Sequence, residues 1–196
     1  MSTTERRVLD FDHSAQKLFK PYAGSRPMKL LDLFSKLGDQ PEVRTISAAL
    51  FAAGLFGGNS RLVRAGARML VAHEAATLAK DALKREIDRT RPRSSNGRKD
   101  KKPELGRHSA KELTSFPSGH SAGAIAAARS FSREFPEYKP IAIGAAGLIA
   151  LGQIPRCAHY PTDVAAGLAL GLAAETVVNA GWNALHEEGR AEPPTP

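Results

Sequence analysis

The sequence predicts an all-α protein, a helical bundle of about six helices with its functional site at the helix ends. Gly and Pro residues separate the apolar segments, and within those segments the apolar residues recur at helical spacing. No run alternates with a period of two over enough residues to form a strand. The length of 196 residues suits one domain with a sizeable core and leaves little room for a second.

Proline and glycine set most of the expected helix boundaries. Proline is tolerated in the first turn of a helix, glycine often follows the last turn, and the residue before a proline disfavours helical geometry. In chain order, the predicted helices are Met28–Leu37, Pro41–Phe56, Ser60–Arg89, Ser118–Phe135, Tyr138–Ile154 and Pro161–His186.

These helices divide the chain into three predicted regions. Residues 1–40 form an N-terminal amphipathic segment, residues 41–186 the folded domain, and residues 187–196 a flexible, Pro-rich tail. Inside the domain, residues 92–112 form a basic loop. This loop is either a solvated surface segment or a lid that attracts an anionic substrate or a membrane surface.

Composition limits the chemical classes of partner and site that the chain can have. The formal net charge is +8, which suits an anionic partner such as a phosphate ester, an acidic lipid headgroup or a nucleic acid. Cys157 is the only cysteine, which excludes an intrachain disulfide and a Cys-based zinc site. Residues 1–20 are charged throughout and lack the apolar region of a cleaved secretory signal.

Hydropathy alone leaves a membrane location open. The three most apolar stretches are Ile46–Gly58, Ile141–Ile154 and Val164–Trp182, whereas a spanning helix needs about 20 mostly apolar residues. The first two are too short, and the third contains Glu175 and Asn179. With a mean hydropathy of -0.30, a soluble Ala/Gly-rich bundle fits these numbers as well as an embedded one.

Three polar clusters lie where predicted helices begin or end. In the first, Lys84 and Arg91 are seven residues apart, so two helical turns would place both on one face as a phosphate clamp. In the second, Pro-Ser-Gly-His at residues 117–120 precedes an Ala-rich helix. Backbone N–H groups at such a helix start can bind an anion.

The third cluster contains His159 and Asp163, four residues apart at a helix start. A carboxylate in that position can accept from one ring nitrogen and leave the other nitrogen as a nucleophile. Each cluster alone also fits an ordinary role: a solvated basic helix face, a turn with an N-cap, or a structural ion pair. Their occurrence together and in this order favours a shared site.

Taken together, Lys-x6-Arg-Pro, Pro-Ser-Gly-His and His-x3-Asp resemble the three-part signature of the PAP2 (phosphatidic acid phosphatase type 2 / haloperoxidase) superfamily. The resemblance implies a metal-independent phosphatase without cofactor, in which His159 forms a phosphohistidine, Asp163 holds its ring, and His120 is the general acid. It further implies that Lys84, Arg91, Ser118 and the amide of Gly119 bind the phosphate oxygens. Phosphoryl transfer needs such positioning and preorganised positive charge.

One position departs from that signature. The third motif of the family normally carries an arginine six residues before the nucleophile, where this sequence has Gln153. Gln153 can donate hydrogen bonds to phosphate but brings no charge. If the segment is helical, Arg156 shares a face with residue 153 and is predicted to supply the missing guanidinium.

The resemblance favours a lipid phosphate or diphosphate as substrate and the cell inner membrane as location, with no nucleic acid partner. The alternatives are a soluble, cytoplasmic non-specific acid phosphatase, a vanadium haloperoxidase, and a basic binding module whose catalytic motifs have decayed. The substrate, the membrane topology and the oligomeric state stay open at this point.

Overall fold

In the computed structural model, which describes residues 2–95, 102–107 and 110–188, the chain is almost entirely helical. The all-α prediction is confirmed. Residues 96–101 and 108–109 of the basic loop, together with 189–196 of the tail, lie outside the described residues. The helices are α1 Thr3–Phe19, α2 Arg26–Ser35, α3 Gln40–Phe56, α4 Ser60–Glu86, α5 Gly119–Glu134, α6 Lys139–Leu151 and α7 Pro161–Glu188.

Small residues let the central helices approach closely. Helix α4 packs against α3, α5 and α7, and the interior between α4 and α5 is a cluster of four alanines: Ala72, Ala76, Ala122 and Ala126. A Cβ added at Gly171 on α7 would lie 2.2 Å from the carbonyl oxygen of Ala122. The Ala/Gly-rich composition therefore serves close helix packing, as in interiors where backbones approach each other.

The structure differs from the predicted elements at three places: α1, the end of α4, and the end of α6, which lies at Leu151 and not at Ile154. Helix α1 was missed, because its charged residues hide the apolar spacing. Helix α4 ends at Glu86 rather than Arg89, since Ile87–Asp88 forms a short strand, β1, antiparallel to β2 at Glu104–Leu105. Lys84 and Arg91 thus do not share a helix face, and that part of the interpretation was wrong.

Several helix ends meet at one end of the bundle. The C-terminus of α4 and the N-termini of α3, α5 and α7 converge there, and α1 and α2 cover the same end through contacts with the segments that precede α5 and α7. Among the described residues, Pro161–Leu185 of α7 is the one helical segment long and apolar enough to cross a membrane.

Candidate active site

A cavity of about 360 Å³ opens at the end of the bundle where these helix ends meet. Both histidines of the sequence motifs, His120 and His159, line it. Three cations from two separate segments line it as well: Lys80 and Lys84 of α4, and Arg91 of the following loop. Gly119 brings the start of α5 to the wall, and the start of α3 closes the other side. The cavity thus combines two imidazoles with a concentration of positive charge.

His159 is almost completely buried and presents one nitrogen to the cavity cations. Its Nε2 lies 3.2 Å from Nη1 of Arg91. A guanidinium can only donate, so Nε2 accepts and is unprotonated in this arrangement. Burial, helped by the charge of Arg91, lowers the pKa of His159 from 6.5 to about 4. The ring is therefore neutral near neutral pH, as a nitrogen nucleophile must be.

Asp163 lies behind His159, at the first turn of α7, and is fully buried. Its Oδ2 is 3.7 Å from Nδ1 of His159, an ion-pair distance rather than a hydrogen bond. The same oxygen accepts from the Ser115 hydroxyl at 2.6 Å and from the backbone N–H of Tyr160 at 2.9 Å. These bonds fix the carboxylate on the side of the imidazole that faces away from the cavity cations.

Arg89 is the counterion of Asp163 and also ties α1 to the site. Its Nη1 donates to Oδ1 of Asp163 at 2.6 Å, and its Nη2 donates to Asp12 of α1, also at 2.6 Å. All three side chains are almost completely buried, and the guanidinium lies over the ring of Tyr160. Asp12 also accepts from the backbone N–H of Thr162, so α1 is bonded directly to the start of α7.

His120 also lines the cavity and pairs with a carboxylate. Its Nε2 is 2.6 Å from Oδ1 of Asp39, the residue immediately before α3. Burial is the largest influence on the pKa of His120 and lowers it, whereas the charge of Asp39 raises it. The two histidines are thus held by different carboxylates from different parts of the chain.

The cavity cations are crowded and poorly solvated. Burial, together with the charges of Arg91 and Lys80, lowers the pKa of Lys84 to about 7. Burial also lowers the pKa of Arg91 to about 10, with Arg93 adding to the effect. A bound dianion would relieve this repulsion, so the cavity has the electrostatics of an anion site.

Ser118, Gln153 and Arg156 were predicted to bind phosphate, but none of the three lines the cavity. Ser118 is fully buried, caps α5 by accepting from the N–H of Ser121, and accepts from the Ser121 hydroxyl at 2.8 Å. Gln153 is also fully buried and donates to the carbonyl of Ile149. Neither is among the residues that line the cavity. Their contact with phosphate stays a prediction.

Arg156 contacts Gln153, since its Nη1 donates to Oε1 of Gln153 at 3.1 Å, although residues 152–157 form turns and not the helix on which that expectation depended. Its other nitrogen is paired with Asp32 of α2. Arg156 does not line the cavity, although its charge is close enough to lower the pKa of His120. Its direct contact with phosphate remains a prediction.

Sequence reasoning missed Asp39, Lys80 and Arg89. Lys80 could have been found, because it lies one helical turn before Lys84 and so shares its face. Arg89 lies within the first motif, but nothing local distinguishes it from Arg85. Asp39 carries no local signal, since its partner is 81 positions away in sequence. Among the residues that the structure describes, no group of three or more His, Cys, Asp or Glu could hold a metal ion.

Comparisons with known proteins give a family match, two relatives and a similar solved structure. The model of the PAP2 superfamily matches residues 65–186. A lipid A 1-phosphatase from Rhizobium etli is 33% identical over 167 residues, which cover 76% of this chain and 70% of that protein. A lipid A 1-phosphatase from Rhizobium johnstonii is 42% identical over 96 residues, 48% of this chain and 38% of that protein.

Among solved structures, the fold is similar to that of a transmembrane PAP2-type phosphatidylglycerolphosphate phosphatase from Bacillus subtilis. The TM-score is 0.66 at 20% identity, and the match covers 93% of this chain and 88% of the other. This likeness concerns the arrangement of the helices.

Proposed function

The chain belongs to the PAP2 superfamily of phosphate-ester hydrolases, and we propose that it removes phosphate from a lipid phosphate at the inner membrane through a phosphohistidine on His159. The observation that carries this proposal is the shared cavity. It brings together residues of all three motifs, which are distant from one another in sequence: Lys84 and Arg91 of the first, His120 of the second and His159 of the third. The names of the two rhizobial relatives and of the solved Bacillus protein support a lipid phosphate as substrate.

In the first step, Nε2 of His159 attacks phosphorus. The P–N bond forms as the bond between phosphorus and the leaving oxygen breaks, and His120 gives that oxygen a proton. Arg91 lies beside Nε2 and would hold a non-bridging oxygen next to the nucleophile. Lys80 and Lys84 neutralise the remaining charge. As Nδ1 of His159 becomes positive, Asp163 stabilises it from behind.

In the second step, water replaces the histidine. His120, now neutral, accepts a proton from the attacking water, the P–N bond breaks, and inorganic phosphate leaves. His120 thus acts first as an acid and then as a base, which restores both imidazoles to their starting protonation states. No other residue has to change its charge.

The surface of α1 supports a membrane location. Some polar side chains of this helix bond to the rest of the protein, whereas three of its apolar side chains are exposed. The inward contacts are those of Asp12 and Gln16, and of Lys20, which directly follows the helix. The outward side chains are Val8, Phe11 and Leu18, exposed by 43%, 62% and 62%. An apolar stripe flanked by Arg7 and Lys17 suits the boundary between headgroups and acyl chains.

The proposal is tested on protein purified in detergent and assayed with EDTA present. The substrate panel contains lipid phosphates, lipid diphosphates and a soluble aryl phosphate. We expect phosphate release to be fastest from one of the lipids, and His159→Ala to abolish release from every substrate. After brief incubation with labelled substrate and a denaturing quench, the label should remain on wild-type protein in an acid-labile, alkali-stable form, as expected of phosphohistidine.

Three results would contradict the proposal in different ways. Full activity of His159→Ala would exclude His159 as the nucleophile. A preference for soluble esters, with recovery of the protein in the salt-washed soluble fraction, would instead favour the soluble acid phosphatase. Absence of phosphate release from the whole panel would favour the binding module.

A further inference from the structure

We propose that Asp39 is a positioning residue for His120, which holds the imidazole and its proton in place for the leaving group. The proposal deepens the function given above and rests on it, because it needs His120 as the general acid. Asp39 lies in the N-terminal region, before the matched residues 65–186 and outside all three motifs. The site would therefore contain two histidine–carboxylate pairs, one for the nucleophile and one for the acid.

The position of Asp39 on its helix supports this role. It occupies the N-cap of α3 with extended backbone angles, φ -69° and ψ 151°, where an aspartate usually accepts from the first turn of its own helix. Here the side chain makes no capping hydrogen bond. Its Oδ1 lies instead 2.6 Å from Nε2 of His120. The carboxylate thus gives up its usual local bond and contacts the cavity histidine.

The charges around His120 explain why a carboxylate is needed. Burial lowers the pKa of His120 most. The positive charges of Arg156 and Arg91, from the loops after α6 and α4, lower this pKa further. Lys80 and Lys84 of α4 line the same cavity, as do neutral His159 and, from α3, Glu42. Asp39 is the partner in direct contact with the ring. Without it, the pKa of His120 would fall further, and less of the enzyme would carry the proton that the leaving oxygen requires.

Asp39 also determines which nitrogen delivers that proton. In the protonated ring both nitrogens are donors. Nε2–H donates to Asp39, so Nδ1–H serves the leaving oxygen, and the neutral ring that remains keeps its hydrogen on Nε2. Nδ1 is then the acceptor for the proton of the attacking water in the second step. The hydrogen bond to Asp39 is kept throughout, so the ring does not have to turn over between steps.

The test is Asp39→Asn, which keeps the shape of the side chain and an N-cap residue but removes the charge. Because the pair is partly exposed, we expect a moderate loss, about tenfold in kcat for an alkyl phosphate, with KM nearly unchanged. For a nitrophenyl phosphate, whose leaving group needs little protonation, the loss should be much smaller. The alkaline limb of kcat should move to lower pH, since His120 loses its proton more easily.

Glu74→Gln is the matched control. Glu74 of α4 pairs with Arg44 of α3, and neither residue lines the cavity. Like Asp39→Asn, this variant removes one ion pair at α3, but it leaves the partner of His120 in place. It should leave kcat and both pH limbs unchanged. Asp39→Glu should restore most of the alkyl phosphate activity. Equal losses of Asp39→Asn on both leaving groups, without movement of the alkaline limb, would show a merely structural role and overturn the proposal.

A second measurement does not depend on turnover. The ring of His120 can be titrated by NMR in the wild type and in Asp39→Asn, with His120→Gln used to assign its signal. We expect the pKa of His120 to be lower in Asp39→Asn. An unchanged pKa would overturn the proposal even if the wild type hydrolysed no ester. An inactive wild type with a lowered pKa in the variant would contradict the proposed function but support the pairing.

Discussion

Lys80 and Arg156 are the two cations that could replace the arginine absent at position 153. Lys80 lines the cavity and touches the start of α5, where a Cβ added at Gly119 would lie 2.9 Å from its Cδ. Arg156 is engaged by Asp32 and Gln153. We therefore expect Lys80→Met to lower kcat/KM by about 100-fold, the lower end of the range for loss of one group that stabilises transition-state charge. Arg156→Gln should lower kcat/KM by less.

Steady-state kinetics on one lipid phosphate compare the two variants directly. Lys80 pairs with Asp81 at 2.7 Å, so Asp81→Asn controls for the loss of that ion pair. If Arg156→Gln has the larger effect and Lys80→Met is near normal, then Arg156 leaves Asp32 when phosphate binds, as the sequence interpretation requires. That result would reverse the assignment made from the geometry.

At the scale of the element, α1 has a polar face on the protein and an apolar face outside. We expect Phe11→Gln combined with Leu18→Gln to weaken co-flotation with vesicles that contain anionic lipid. Hydrolysis of a soluble aryl phosphate in detergent should be unchanged, because both side chains point away from Asp12 and the cavity. The control, Phe11→Leu with Leu18→Met, keeps the apolar area and should bind vesicles normally.

If the glutamine pair binds vesicles as the wild type does, the outward face of α1 is not a membrane contact. A change of the oligomeric state in detergent, rather than of vesicle binding, would instead identify that face as an interface between two copies of the chain.

Helices α5 and α7 are tied by a buried carboxylate. Glu175 is almost completely buried within the candidate spanning segment and accepts from Arg129 at 2.8 Å and from Arg133 at 3.0 Å. Glu175→Gln leaves both arginines without this counterion. We expect it to lower the free energy of unfolding by about 1 kcal/mol, because the two arginines that lose their counterion are themselves 33% and 40% exposed. Thermal unfolding in detergent measures the effect.

The control for this change is Glu137→Gln, which breaks the exposed pair with Arg61 and should leave the unfolding temperature nearly unchanged. Equal unfolding temperatures for Glu175→Gln and the wild type would show that the arginines find other partners. The tie would then contribute nothing to the packing of α5 against α7.

For the whole molecule, helix type and order could be predicted from local pattern, because apolar spacing and Pro/Gly boundaries act within a few residues. The three motifs are also local, and their order, through the resemblance to a known family, predicted His120, His159 and Asp163 as site residues. What could not be predicted depends on contacts between distant segments. Asp39 meets His120 across 81 positions, and Arg89 bridges Asp12 and Asp163, so no local pattern distinguishes these residues from solvated charges.

The end of α4 shows the same limit. Ile87–Asp88 pairs with Glu104–Leu105, within the predicted basic loop, and this pairing ends the helix three residues before the predicted boundary at Arg89. Helical periodicity extends to Arg89 in the sequence, but a partner strand supplied from elsewhere in the chain overrides it. Lys84 and Arg91 still both line the cavity, and both side chains donate to the carbonyl of Thr114.

Buried histidines make the stability of the whole molecule depend on pH. Burial lowers the pKa of His73, His120 and His159, the last from 6.5 to about 4. At a pH between about 4 and 6.5, His159 is protonated in the unfolded chain but neutral in the folded protein. Its contribution is therefore complete above about pH 6.5 and is lost as the pH falls toward 4. We expect the unfolding temperature in detergent to fall steadily across this window.

Replacing single histidines separates the contribution of His159 from that of the carboxylates. Carboxylates gain protons mainly at the acid end of this pH range. His159→Gln should flatten the pH dependence between about pH 6.5 and 5, where a histidine in the unfolded chain gains its proton. His13→Gln, which changes a histidine on α1 outside the bundle interior, should leave the slope unchanged. A wild-type unfolding temperature that stays constant down to pH 5 would mean that the buried rings take up protons without loss of the fold. In that case His159 would not be held neutral by its surroundings, and the proposed nucleophile would lose its electrostatic basis.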